Sequence, residues 1–286
     1  MQFGDCEMIF PVRDYDLAAT LTSGQAFRWK LRQSGWNGII GSHWVRLQAV
    51  EQGIHAQTAI PTDDWSWLTH YLQLEVELDA VLLSFPDDEP MRLAVGACRG
   101  LRLLRQEPWE CLASFILSST KQIVQIQQIV SLLCERFGVP LVVPSGQEPV
   151  HSFPTADRLA AASETELRAC KMGFRAPNLL ATAKAVAEGA IHLKSLSTLS
   201  VDAARNELIK LPGVGNKIAN CVLLFAYGFQ QAFPVDVWIL KALRQLYFPR
   251  RRPSPRRLRR FTATHFGVNA GYAQQYLFHY MRQRGR

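Results

Sequence analysis

No acidic residue follows Asp236 in this chain of 286 residues, and none of its six cysteines forms a C-x-x-C pair with another. Cys6, Cys98, Cys111, Cys134, Cys170 and Cys221 are separated by 92, 13, 23, 36 and 51 positions. Zinc and iron–sulfur sites are built on short-range ligand pairs, so this spacing excludes both. The cysteines read as buried thiols, and neither a metal nor a cofactor is expected. Nowhere does the sequence approach a run of about 18 apolar residues, the length a membrane-spanning helix needs. The phosphate-loop pattern G-x-x-x-x-G-K-[ST] is also missing. The opening MQFGDCEMIF carries acids and no basic start, unlike a secretory leader. An intracellular setting is therefore expected: cytoplasm and nucleoid in a bacterium, nucleus in a eukaryote.

What the chain does contain is an ordinary globular balance, 48% hydrophobic and 20% charged, with a formal net charge of +8. That total hides a division. From Lys241 onward stand 12 of the 32 basic residues and no acid, so the remainder carries 20 bases against 24 acids, a balance of −4. RRRPSPRRLRR, from Arg250 to Arg260, is the densest cluster. A near-neutral body with a strongly cationic end fits a polyanionic partner, because phosphate contacts release counterions and supply most non-specific affinity. A solvated basic face is the plain alternative.

The first ~85 residues read as strand-rich and the rest as helical, an α+β chain of two parts by length. FRWKLRQ (Phe27 to Gln33) and IIGSHWVRLQAV (Ile39 to Val50) alternate β-branched and aromatic residues, with Ser34 to Gly38 as the turn between them. Trp65, Trp67 and Tyr71 open a short helix, and Pro86-Asp87-Asp88-Glu89-Pro90 marks a junction. The boundary is placed there: residues 1–88 as an antiparallel sheet unit, residues 89–286 as a helical region. Apolar residues recur at three- and four-residue steps in PWECLASFILSS and in IVQIQQIVSLLCERFG, which stops at Gly138 before Pro140. Ser163 to Glu166 fits a capping box. Further helices are expected over Ala176 to Glu188, Val201 to Lys210, Asn216 to Tyr227, Val237 to Tyr247 and Ala270 to Met281.

Leu211-Pro212-Gly213-Val214-Gly215-Asn216-Lys217 lies between two of these helices, in a helix-hairpin-helix over about 201–229. Two glycines two apart permit a tight turn with outward N–H groups, and the next helix adds its positive dipole end. Such a turn grips a nucleic-acid backbone without reading sequence. A plain glycine-capped connection is the alternative. An ordinary lysine, with a reference pKa of about 10.4, is protonated at neutral pH. Partial desolvation at a helix start favours the free amine, which makes Lys217 a candidate Schiff-base former, with a solvated surface charge as the plain alternative. Asp236, in Phe233-Pro234-Val235-Asp236-Val237, sits at the N-cap of a later helix, where capping alone would explain it. Cys221 follows Lys217 by four positions and shares its helix face.

At these residues the sequence resembles the helix-hairpin-helix Gly/Pro…Asp superfamily of DNA glycosylases, and within it the 8-oxoguanine DNA glycosylase/lyase family. The likeness extends over most of the chain. Leu21 to Trp29 resembles the family's S-G-Q-x-F-R-W element, and Leu103 to Pro108 through Cys111 to Ser119 resembles its first long core helix. LPGVGNKIANC, PVDV and Gly271 to Phe278 follow in the same order. The resemblance implies an N-terminal antiparallel sheet followed by an all-α helix-hairpin-helix core, and a bifunctional N-glycosylase/AP lyase that acts without cofactor, as a monomer, on double-stranded DNA containing an oxidised purine. It assigns Lys217 as nucleophile at C1′ and Asp236 as stabiliser of the sugar cation. The base pocket is implied at Gly24, Cys221, Gln274 and Phe278, and the backbone grip at Gly213, Val214 and Gly215. Phe174 is the implied wedge, with Arg175, Thr120 and Gln125 near the opposite base.

The sequence departs from the family at three places. Thr120-Lys121-Gln122 stands where eukaryotic members usually have three asparagines, Gln125 stands for an arginine, and Trp238 stands for a histidine. The resemblance therefore does not imply strict pairing with cytosine. A glycosylase for another damaged purine and a non-catalytic DNA-binding protein are the alternative readings.

Overall fold

The computed structural model of the chain describes residues 5–119, 121–250 and 253–285. Thr120 and the basic residues Arg251, Arg252 and Arg286 lie outside the described residues. Strands β1 (Asp5–Pro11), β2 (Lys30–Arg32), β3 (Gly35–Ile40), β4 (His43–Val50) and β5 (Gly53–Thr62) form one antiparallel sheet in the order β1-β5-β4-β3-β2. Its inner face carries Val45, Leu47, Ile54 and Ala56, in register as Leu47 opposite Ala56 and Ala49 opposite Ile54. Against them pack Leu17, Leu21, Trp29, Trp65, Leu68 and Tyr71.

The hairpin turn falls earlier than expected. Arg32 pairs with Gly35, so the connection is Gln33-Ser34, with Gln33 at φ 52, and the glycines at 35 and 38 lie inside β3. Gly38 serves close packing there, since a Cβ on it would stand 2.3 Å from the Trp29 ring. The Ile39 to Val50 run is likewise two strands, broken at Gly41, whose φ is 57.

The helical part is built around the helix Pro108–Leu117, in which every residue from Cys111 to Leu117 is buried. The segment before it is not helical. Glu107 accepts hydrogen bonds from the backbone N–H groups of Trp109 (3.0 Å) and Glu110 (2.7 Å), and Pro108 occupies the first turn. These are start signals, so the core helix begins at Pro108 rather than Leu103. The helix Ile123–Phe137 ends at Gly138, and Ser163 with Glu166 forms the expected capping box. Helices Asn216–Val222 and Val237–Ala242 each finish in a wider turn, Leu223–Tyr227 and Leu243–Tyr247. Five of the cysteines are buried, whereas Cys6, on β1, is half-buried. No described helix is long and apolar enough to cross a membrane.

Gln25 joins sheet and helices. Fully buried, its amide nitrogen donates to Thr20 O (2.9 Å), Ser23 Oγ (3.1 Å) and Arg102 O (2.8 Å), and its Oε1 accepts from Leu104 N at 2.7 Å. Its own carbonyl accepts from Gln106 Nε2 at 2.7 Å. Removing the amide strands buried partners at about 1–3 kcal/mol apiece. Gln25→Ala is therefore expected to lose about 3 kcal/mol or more in a urea melt; a loss below about 1 kcal/mol would show that water replaces the amide.

Candidate active site

The site is assembled from five separate chain segments. Lys217 is the second residue of the helix Asn216–Val222, which the Pro212 to Gly215 turn joins to Val201–Ile209. Gly213, at φ 78, packs so closely on Asn178 that a Cβ would lie 2.8 Å from its side chain. Gly213 and Gly215 are exposed, Val214 is buried, and no side chain caps the Asn216 helix. The turn therefore presents backbone rather than side chains.

Lys217 Nζ donates to Ser118 Oγ at 2.9 Å and sits 5.2 Å from the centre of the Phe115 ring. The Ser118 hydroxyl gives its own hydrogen to Phe115 O at 2.6 Å, which leaves its lone pairs for Lys217. Asp236 caps the helix Val237–Ala242, accepting from Ile239 N at 2.8 Å. Burial raises its carboxyl above the ordinary aspartate range, while the Ile239 N–H and the Lys217 charge hold it down. Burial also pushes the Cys221 thiol up to about 11, so that near neutral pH it is an uncharged pocket wall rather than a nucleophile.

Lys217 and Asp236 open onto the same two connected spaces. The outer one, about 660 Å³, is also lined by Ser118, Ile123, Trp238 and Phe278. Gly24 lines both, and the deeper one, about 50 Å³, adds Cys221 and Gln274. Gln274, on the helix Ala270–Arg284, is 3% exposed, and its Oε1 accepts no hydrogen bond among the described residues. Gly24 adopts φ 78, and a Cβ there would stand 2.7 Å from Ile123 Cδ1. Its turn is fixed by Gln275, whose amide donates to Ser23 O at 2.9 Å.

The other expected residues stand apart from these spaces. Phe174 is 61% exposed, beside the hairpin's supporting helix Ala176–Ala187. Arg175 is 3% exposed, its guanidinium 4.3 Å from the Phe174 ring centre and donating to Met172 O at 3.3 Å. Gln125 accepts from Gln122 N at 3.1 Å, a local helix-start contact. Lys121 and Gln122 do line the outer space. Sequence reasoning missed Ser118, Ile123 and Arg282, all lining residues. The serine pair after the core helix was the only signal for the first, and nothing local marks the other two. A separate cleft of about 360 Å³ between Ile123–Phe137 and the outer sheet face holds neither Lys217 nor Asp236.

Comparison with known proteins finds two family models in succession along the chain. Residues 7–112 match the family model for the N-terminal domain of 8-oxoguanine DNA glycosylase, and residues 113–265 match that of the HhH-GPD superfamily base excision DNA repair proteins. The N-glycosylase/DNA lyase OGG1 of Arabidopsis thaliana is 31% identical, over 94% of this chain and 79% of its own. The chain belongs to the 8-oxoguanine DNA glycosylase/lyase family. The solved structure of MBOgg1 with a low-affinity DNA ligand superposes with a TM-score of 0.93 at 30% identity, covering 100% of both chains. The Clostridium acetobutylicum 8-oxoguanine glycosylase/lyase, bound to duplex DNA with cytosine opposite 8-oxoguanine, gives 0.89 at 29% identity, again over 100% of both. The fold is that of the family throughout, a sheet followed by a helix-hairpin-helix core.

Because the Asp236 carboxyl is raised in the fold, its contribution to stability is present at low pH and is lost as pH climbs through its folded pKa. Asparagine caps a helix about as well as aspartate and carries no charge. Asp236→Asn is expected to melt no lower than the parent at neutral pH, whereas Asp236→Ala loses the cap and about 1 kcal/mol. Equal losses for both variants in thermal melts would contradict this.

Proposed function

We propose that this chain, acting as a monomer, extrudes 8-oxoguanine from duplex DNA into the space shared by Lys217 and Asp236, releases the base and then nicks the strand. The observation that carries the reading is the presence of an amine and a carboxylate on one cavity whose deep end holds an acceptor, Gln274 Oε1, unpartnered among the described residues. Chemistry at C1′ is impossible inside a stacked duplex, and extrusion costs a few kcal/mol. Exposed Phe174 filling the gap and the Gly213-Val214-Gly215 turn holding phosphate offset that cost. The sheet unit, residues 1–88, contributes Gly24 to the pocket.

Lys217, as free amine, attacks C1′ while the C1′–N bond breaks and its electron pair leaves with the base, which takes up a proton. The Asp236 carboxylate stabilises the positive charge that develops on the sugar. Ring opening then gives an imine between Lys217 and C1′, and loss of a C2′ proton expels the 3′ phosphate. Ser118, already bonded to Lys217 Nζ, keeps the amine at the cavity wall. The base lies between Phe278 and the neutral Cys221 thiol. Gln274 Oε1 receives an N–H from its Watson–Crick edge, and the Gly24 carbonyl receives the N7–H that oxidised guanine carries. Guanine, with a bare N7, would set acceptor against acceptor.

Lys217→Gln is expected to abolish borohydride-trapped adducts while binding duplex DNA within about threefold of the parent, because the phosphate contacts survive. Trapping that persists in this variant would remove Lys217 as nucleophile. With Gln125 tied to its own helix start and Arg175 folded under Phe174, discrimination against other opposite bases is expected to be weak. Single-turnover excision of 8-oxoguanine opposite each of the four bases should fall within about tenfold, a spread of about 1.4 kcal/mol. A cytosine preference beyond about a hundredfold would contradict this.

A further inference from the structure

The helix Pro255–His265 is used by nothing described so far. Leu258, Phe261, Thr262 and His265, at steps of three and four, form its inward stripe: Leu258 and Thr262 are buried, and Phe261 packs at a tilt on Tyr247 and edge-on against Phe248, with ring centres 5.2 and 5.0 Å away. His265 Nε2 pairs with Asp88 Oδ2 at 2.8 Å, docking the end of the helix. Arg256, Arg257, Arg259 and Arg260 all lie off this stripe and are exposed. Among the described residues none of the four is paired with a carboxylate. Two of them stand in the first turn, which holds no acid and whose dipole is itself positive, so the cations repel one another and the helix end until an anion arrives.

None of the four arginines lines either space of the pocket. The helix that starts at Asp236 runs away from the cavity through Tyr247, which packs on Phe261, about 15 Å further on. The C-terminal helix starts at Ala270, just after the arginine helix, and lines the cavity at Gln274, Phe278 and Arg282, about 6–18 Å along. The helix that starts at Asp236 thus meets the arginine helix at the end that points away from the pocket. The apolar stripe of the arginine helix is spent inward, leaving no face to insert into a lipid surface.

We propose that the arginine helix is a second polyanion-binding surface, which holds another segment of duplex DNA while the pocket engages the first. This rests on the DNA-acting reading above. Capture of a second duplex before release of the first lets the protein pass directly between segments.

The test is the rate at which labelled undamaged duplex leaves the full-length protein as unlabelled duplex is raised. For the parent the rate should climb severalfold with competitor. With Arg256→Gln, Arg257→Gln, Arg259→Gln and Arg260→Gln combined it should become independent of competitor, and the four lysine replacements should restore the climb. The slope of log K against log salt should fall by about 0.9 for each lost contact. Single-turnover release of 8-oxoguanine from a duplex of one helical turn should be unchanged by the glutamine set; if the parent itself released no base, the proposed activity would fail while the transfer measurement stood. A competitor-independent rate in the parent, or a climb that survives in the glutamine variant, would overturn the proposal. So would a variant that only shortens the footprint on a single duplex, or a parent that prefers phosphatidylserine vesicles to duplex DNA.

Discussion

The buried amide of Gln25 is the contact on which the pocket depends. Its four side-chain hydrogen bonds tie the turn at Ser23-Gly24 to the extended segment at Arg102 and Leu104, which leads directly into the central helix. The helical half closes the same turn from the other side, through Gln275 and Ser23. Gly24 is thereby held against Phe278 and Ile123, although these three come from the beginning, the middle and the end of the chain. A buried amide costs free energy unless every donor and acceptor is met, and here meeting them fixes one relative placement of sheet and helices.

Asp236 shows how the fold and the chemistry share one group. Its carboxylate starts a helix, and the same helix start places it on the cavity with Lys217. Burial works against the charge, whereas a neutral cap would serve the helix start equally well. Such conflicts between stability and activity are expected at functional positions. Gln274 is a second instance: a nearly inaccessible acceptor that meets no donor among the described residues is costly in the empty pocket and becomes favourable when an N–H of a bound base meets it.

Much of the architecture was legible in the sequence because helix periodicity and end signals are local. Ser163 with Glu166, Gly138, and the glycines of the hairpin behave as their spacing implies. The sheet was legible in kind but not in register, since Gly35 and Gly38 look like turn residues until Trp29 is seen lying on Gly38. Lys217, Asp236 and Cys221 were marked by residue type and spacing, and Gln274, Phe278 and Gly24 by the family resemblance; the fold brings all six to one cavity. Ser118 was not, because its part in holding Lys217 depends on two helices 99 residues apart meeting. The same limit applies to Arg175 and Gln125, whose side chains are committed to neighbours that residue type alone does not reveal.

The central claim is that the space between Gly24 and Lys217 receives an extruded base. The most direct measurement is a crystal structure of the Lys217→Gln variant with duplex DNA containing 8-oxoguanine. The account predicts the base between Cys221 and Phe278, an N–H of its Watson–Crick edge within hydrogen-bond distance of Gln274 Oε1, and C1′ facing residue 217 and Asp236. A base still stacked in the duplex, or seated in the cleft on the outer sheet face, would contradict it.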